Sequence, residues 1–434
     1  MLKGIEKMAD VKNTISLIEN GGFDCTFLKL YNKDTLERQK KRYIEIIEVF
    51  QRLYKDGDLR FFSAPGRTEV CGNHTDHNRG RVLAAAVNLD VIAVASVNQD
   101  NIIRLKSVEY QKADNIDLSV LQPVKEEAGK SSALIRGVAA RLSELGYKVG
   151  GFNAVTTTDV FSGSGISSSA AFEVLVGTII NHLFNDGKIP AVEIAKAAQY
   201  AENKFFLKPC GLMDQMACSV GGFVGIDFKS TENPIIEKVS FDFYNSGHAL
   251  CILDTGGDHS DLTDEYAAIR REMESVAAFF GKSALRDVNE EEFYGKLDDI
   301  RKKTKERAVL RAMHFFNENK RVEAALNALK SGDFEGFKAI ITSSGLSSYM
   351  YNQNVYSNKM PLSQPVSLAL ALCEKLLSGK GAYRVHGGGF AGTIQAFVPL
   401  DKLDEFKTEI EKVFGKDKCF ILNIREQGGT AVKP

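Results

Sequence analysis

Four short stretches concentrate residues whose types and spacing suit chemistry. The first, SGSGISSSAA at 162–171, sets glycines and serines directly before a long apolar run. Small residues let backbone N–H groups approach a ligand closely, and a helix opening there presents its N-terminus to phosphate oxygens. The serine hydroxyls add donors to phosphate or ligands to Mg²⁺. The loop lacks the lysine of a Walker A motif, and alone it reads equally well as a turn with a serine N-cap. The second stretch, APGRTEVCGNHTDHNRGRV at 64–82, packs Arg67, Asn73, His74, Asp76 and His77 into one loop between strand-like runs. That polar density exceeds what a turn requires and suits the recognition of sugar hydroxyls, although His74 and Asp76 also fit a surface turn. The third, CGLMDQMACSVGG at 210–222, holds Asp214 in otherwise apolar surroundings. A carboxylate there needs a partner. Either a donor merely stabilises it in the fold, or it works beside an acceptor hydroxyl. The fourth, RVHGGGFAG at 384–392, is a second glycine-rich turn, which alone reads best as a hairpin or a strand-to-helix corner.

The elements that must position these residues follow from periodicity. Residues 1–60 read as helical, with LERQKKRYIEIIEVFQRLY repeating apolar residues at helical spacing up to the turn KDGD. RFFSAPGR, RVLAAAVNL, VIAVASVN and NIIRLKSV read as strands. The segment VLAAAVNLDVIAVASV is expected to form two buried strands with a turn, carrying Asn88 and Asp90 at its centre. It falls short of a membrane span. A helix (SSALIRGVAARLSELG) and a strand (GGFNAVTTTDV) precede the Ser/Gly loop, and two helices follow it. From about 264 the chain is mainly helical, and it closes with strand, loop, strand, helix and strand. The pattern predicts a strand-rich first half and an α+β second half, divided into 1–229 and 230–434.

Composition excludes several alternatives. The 434 residues are 44% hydrophobic and carry a net charge of -1, so no global field recruits nucleic acid or a membrane surface. The seven cysteines include no C-x-x-C pair, which argues against a disulfide framework or a zinc knuckle. With a charged N-terminus lacking the apolar stretch of a signal peptide, a cytoplasmic protein with reduced thiols is expected. Nothing in the sequence specifies an oligomeric state.

Taken in order, the four motifs resemble the GHMP kinase superfamily, and within it the galactokinase branch. AENKFFLKPCGLMDQ and DTGGDHSDLTDEYAAIRRE add to the likeness, which runs from about Ala64 to about Val398. The resemblance implies a two-domain α+β fold. Its N-terminal domain is similar to the second domain of ribosomal protein S5, and its C-terminal domain is ferredoxin-like. It also implies an ATP-dependent kinase acting on the C1 hydroxyl of a galactose-like sugar. Asp214 would be the catalytic carboxylate, paired with Arg67. Asn73, His74, Asp76, Gly211 and Tyr266 would meet the sugar. Gly163, Ser164, Gly165, Ser167, Ser168 and Ser169 would cradle ATP phosphates. Ser169, with Ser168 as second choice, and Glu202 would hold Mg²⁺, and the Gly387–Gly389 run would support the phosphate loop.

Two departures stand out. Galactokinases read GEHTDY where this chain reads GNHTDH, so Asn73 replaces a glutamate and His77 a tyrosine. An amide can donate where a carboxylate only accepts, which leaves galacturonate open beside galactose. The aromatic cluster expected before the phosphate loop is replaced by SSALIRG, pointing to an aliphatic adenine pocket near Leu134 and Ile135. The HTDH loop and the CGLMDQ aspartate count against a mevalonate or homoserine kinase. The intact Ser169-Ala170-Ala171 counts against a non-catalytic sugar sensor on the same fold.

Overall fold

The computed structural model describes residues 11–55, 57–160, 165–257, 262–377 and 379–434. The chain opens with three helices, α1 (Val11–Glu19), α2 (Asp24–Leu30) and α3 (Leu36–Tyr54). Strands β1 (Arg60–Cys71), β2 (Arg81–Val97), β3 (Ile102–Ser107) and β4 (Asp114–Asp117) follow, then α4 (Ser131–Glu144) and β5 (Phe152–Thr158). Helices α5 (Ser168–Phe184) and α6 (Ala191–Ala201) come next. A π-helical turn at Glu202–Phe206 separates them from α7 (Met213–Val220), which leads to β6 (Phe223–Asp227) and β7 (Ile235–Val239).

The second half starts at β8 (His248–Asp254). It continues through helices α8 (Thr263–Phe279), α9 (Glu290–Gly295), α10 (Leu297–Thr304), α11 (Glu306–Ser331), α12 (Phe334–Ser347) and α13 (Pro365–Leu377). It ends with β9 (Ala382–Val385), β10 (Thr393–Pro399), α14 (Leu403–Phe414), β11 (Cys419–Leu422) and β12 (Thr430–Val432).

The first sheet has eight strands. Six run in the order β12-β1-β2-β5-β3-β4, and β6, carrying β7, also pairs with β2. It is antiparallel except where β3 meets β5. The apolar segment expected to be two strands is one strand of 17 residues, β2. Its residues 81–85 pair with β6 and its residues 91–97 with β5, so the partner changes around Asn88 and Asp90 without a turn. Asp90 stays in the sheet because Arg42, Arg425, Tyr31 and Ser63 all reach its carboxylate. The boundary expected at 229/230 falls before β7, which still pairs with β6 over five residues, and β12 returns to β1. The first sheet therefore draws on residues well beyond 230.

Alternation along these strands explains the N-terminal helices. Side chains of a strand point to opposite faces in turn. Phe62, Val91, Ala93 and Ala154 face the core shared with α4, α5 and α6. Phe61, Ile92, Val94 and Val155 face the other way, onto Phe23, Phe27, Tyr43, Ile46 and Ile47 from α1–α3 and their connections. The central strands are buried on both faces, so β2 reads as a continuous apolar run rather than an alternating one.

The second sheet runs β11-β8-β10-β9, all antiparallel. With helices after β8 and α14 after β10, its order is fourth, first, third, second, the ferredoxin-like β-α-β-β-α-β arrangement. All seven cysteines are free and five are buried. No helix among the described residues is long and apolar enough to cross a membrane.

Candidate active site

The loop before α5 is built to come close to something. Gly165 (φ 72°) and Ser167 (φ 62°) both adopt left-handed backbone, and Ser168 starts the 17-residue helix. A Cβ on Gly165 would lie 3.0 Å from His386 Nδ1 and from Thr393 Oγ1, so the glycine lets the loop rest on the fourth motif. The loop's two ends converge on Gly66. A Cβ there would meet Ile166 Cγ2 at 2.5 Å and Val160 Cγ1 at 3.4 Å. The neighbouring Arg67 N–H donates to the Ile166 carbonyl at 2.9 Å. Gly163 and Ser164 lie outside the described residues.

Arg67 and Asp214 meet in a bidentate pair, Nε to Oδ1 at 2.7 Å and Nη2 to Oδ2 at 2.5 Å. The remaining guanidinium nitrogen donates to the Gly165 carbonyl, tying strand β1, the loop and helix α7 together. Burial alone would raise the Asp214 pKa. The Arg67 charge and hydrogen bonds, with a hydrogen bond from Ser167, outweigh it and hold the carboxyl below its usual range. The carboxylate remains 28% exposed, with one side open.

A second acidic group lies at the start of α5. Ser169 Oγ and Glu202 Oε1 are 3.4 Å apart, and Lys208 Nζ is 3.4 Å from the same oxygen. Glu202 is only 3% exposed. It comes from the π-helical turn after α6, whereas Ser169 and Glu173 share one face of α5 at i, i+4 spacing. Gln215 Nε2 bridges the two carboxylates, 2.8 Å from Glu202 Oε2 and 3.1 Å from Glu173 Oε2. Burial, then the Glu202 charge, push the Glu173 pKa well up. An oxygen-rich, nearly buried pair of hydroxyl and carboxylate suits a small hard cation such as Mg²⁺.

Three residues before Asp214, Gly211 meets the loop end of the second motif. Asp76 Oδ2 sits where a Cβ on Gly211 would come within 2.9 Å, so these two residues are neighbours. His74 takes a left-handed backbone (φ 57°), and its Nε2 lies 2.8 Å from the Gly388 carbonyl. The Tyr266 ring lies nearly parallel to His74 at 6.4 Å, and its hydroxyl donates to the Gly389 carbonyl at 3.1 Å. Thus His74, Asp76, Gly211, Tyr266 and the HGGG turn form one cluster.

Asn73 does not join its open side. It is 1% exposed, and its amide is committed to protein partners: Nδ2 donates to Glu69 and to the Gly387 carbonyl, and Oδ1 accepts from Asn354. His77 turns toward α8 instead. Burial, Asp76, His74 and the α8 residues Arg270 and Glu274 set its pKa, with burial dominant, at about 4. Leu134 and Ile135 are buried in α4, Ile135 within the main core.

Several members of this site carried no local signal. Glu173, Lys208 and Gln215 bear on Glu202, and Asn354 reaches Asn73 from 281 residues away. His386 was inside a recognised motif but unassigned. It lies between Thr68 and Thr393, and burial and the Arg67 charge depress its pKa to about 3, so the ring is neutral.

Known proteins share these sequence segments and this fold. Residues 133–222 match the GHMP kinases N terminal domain, and residues 48–97 match the galactokinase galactose-binding signature. The structure superposes on Lactococcus lactis galactokinase complexed with galactose with a TM-score of 0.73, at 22% identity, over 89% of this chain and 98% of that one. It superposes on Methanococcus jannaschii mevalonate kinase with a TM-score of 0.58, at 15% identity, over 84% and 98%. Fold and site together define a GHMP kinase. The chain is 32% identical to the galactokinase of Actinobacillus pleuropneumoniae over 81% of its own length and 88% of that protein's. It is 30% identical to that of Haemophilus influenzae over 88% and 97%. On this identity and coverage, the chain belongs to the galactokinase family of sugar kinases.

Proposed function

We propose that the protein transfers the γ-phosphoryl group of ATP to the C1 hydroxyl of galactose, giving galactose 1-phosphate and ADP. The observation that carries this reading is the Arg67–Asp214 fork, which is tied to the Gly165 carbonyl and Ser167 before α5 and lies three residues from Gly211, the neighbour of Asp76. Phosphoryl transfer asks a protein mostly for positioning and charge neutralisation. ATP phosphates would sit at the N-terminus of α5, against the loop reaching from Gly163 to Ser169. Ser169 and Glu202 would hold Mg²⁺, which neutralises charge on the ATP oxygens. The sugar would lie among His74, Asp76, Gly211 and Tyr266, and the bare Cα of Gly211 keeps Asp76 uncrowded.

Asp214 would orient the C1 hydroxyl and take its proton. Held ionised by Arg67, it is a weak base, so the proton would pass as the oxygen bonds to phosphorus rather than before. The departure at position 73 gives no support for an acidic sugar, because the Asn73 amide is already satisfied inside the protein. ATP as co-substrate and seven free cysteines suit the cytoplasm.

The test is ADP release with Mg-ATP across galactose, galacturonate, N-acetylgalactosamine and glucose. The expected outcome is the highest kcat/KM with galactose. A preference for galacturonate would reassign the sugar, and no sugar-dependent release would remove the enzymatic reading.

A further inference from the structure

Strand β5 ends at Thr158, and Asp159 follows, three residues before the stretch 162–171 begins. Its carboxylate lies 2.8 Å from Arg38 Nη2 and 2.9 Å from Arg42 Nη1, both from the N-terminal helix α3. Its N–H donates to the Asp90 carbonyl at 2.9 Å. Arg42 donates to that same carbonyl at 3.3 Å and to Asp90 Oδ1 at 2.9 Å. One guanidinium thus joins the fully buried middle of β2 to the foot of the loop. The next residue, Val160, is 2% exposed and presses with Ile166 on Gly66, beside Arg67. The foot of the loop has a charged anchor on the α3 side and an apolar one on the Arg67 side. Both arginines precede residue 48, where the galactose-binding signature begins.

Resting on the reading of this loop as the ATP phosphate site, we propose that Arg38 and Arg42 are positioning residues that set the phosphate loop for ATP through Asp159. The N-terminal helices would then serve nucleotide binding as well as covering the sheet. Anchoring and plain electrostatics make opposite predictions here. If charge alone mattered, neutralising Asp159 would favour a polyphosphate, because it removes a negative group. If the carboxylate anchors the loop, neutralising it weakens binding.

The experiment is calorimetric titration of the whole protein with a non-hydrolysable ATP analogue plus Mg²⁺, and separately with galactose. The variants are Asp159→Asn, Arg38→Ala and their combination. Arg38 is 51% exposed, so its replacement leaves folding little changed. Lys41→Ala, which removes an exposed cation of the same helix away from Asp159, serves as the control for lost charge, so a loss confined to Arg38→Ala decides the matter even if Asp159→Asn fails to fold. Asp159→Asn, which loses both arginine contacts, is expected to weaken nucleotide binding about fivefold to tenfold, and Arg38→Ala, which keeps the Arg42 contact, about threefold to fivefold. The double variant should be no worse than the poorer single one, because both remove the same contact. Galactose affinity should stay within about twofold, which a general loosening of the fold would not allow. Unchanged or tighter nucleotide binding in the variants, or equal losses for both ligands, would overturn the proposal while leaving the phosphate-loop reading intact. A wild-type protein that binds no analogue would overturn both.

Discussion

Two aspartates in this molecule are each gripped by arginine, and they differ in what is left over. Asp90 is completely buried. Arg42, Arg425, Tyr31 and Ser63 all contact its carboxylate. Asp214 has Arg67 in a two-point fork and a hydrogen bond from Ser167, and is 28% exposed. In both, burial would raise the pKa, and neighbouring arginines reverse it. The same chemistry therefore serves two ends. A saturated carboxylate joins three parts of the chain, whereas one with an open side can meet a hydroxyl. Burying a charge is tolerable only with partners, and the spare capacity of Asp214 is what suits it to the role proposed for it.

The comparison predicts opposite signatures for the same substitution. Asp214→Asn should lower kcat by about 10²- to 10⁴-fold, with galactose affinity little changed and Tm lowered less than by Asp90→Asn, because one arginine rather than two loses its counter-charge, as checked by steady-state kinetics and thermal unfolding. Near-normal turnover would break the contrast at its functional end. Asp90→Asn leaves two buried arginines short of their counter-charge and should cost about 3–5 kcal/mol of stability. Its turnover per folded molecule at saturating substrates should stay within roughly threefold; urea unfolding and kinetics on the refolded protein read both. Little loss of stability would show that Asp90 is not the junction described here.

A smaller effect concerns pH. His314 and His386 are buried, and burial lowers their pKa to about 4 and about 3. The unfolded chain, titrating near about 6.5, therefore binds protons that the folded chain refuses. Their contribution to stability is complete above that value and declines as pH falls from about 6.5 toward about 4, by roughly 3 kcal/mol for each histidine at the acid end. Asp90 and Asp214 act later, because their depressed pKa values lose stability only as pH falls below the ordinary carboxylate range. Unfolding free energies measured between pH 7 and pH 4 should fall in wild type, and His314→Gln should flatten that slope. A flat wild-type profile would mean these rings protonate freely in the folded state.

Much of the candidate site was legible because its chemistry is local. Gly165, Ser167 and Ser169 lie within five residues at a helix start, and Asp214 is a lone carboxylate in an apolar stretch. Such features follow from residue type and spacing alone. The strand at 81–97 was misread for an equally local reason. Asn88 and Asp90 look like turn residues unless Asn423, which pairs with Asn88, and Arg42 and Arg425, which reach Asp90, are known. Position in a motif likewise does not reveal that Asn354 and Gly387 engage the Asn73 amide.

The sequence by itself determined which residues could bind phosphate, hold a cation or take a proton, because those properties belong to side chains and short spacings. Only the tertiary structure decided which carboxylate was saturated and which was left open, and that helix α3 reaches Asp159 at the foot of the loop before α5. Those outcomes depend on contacts between residues tens to hundreds of positions apart, whose geometry is set by how the sheet and its covering helices pack.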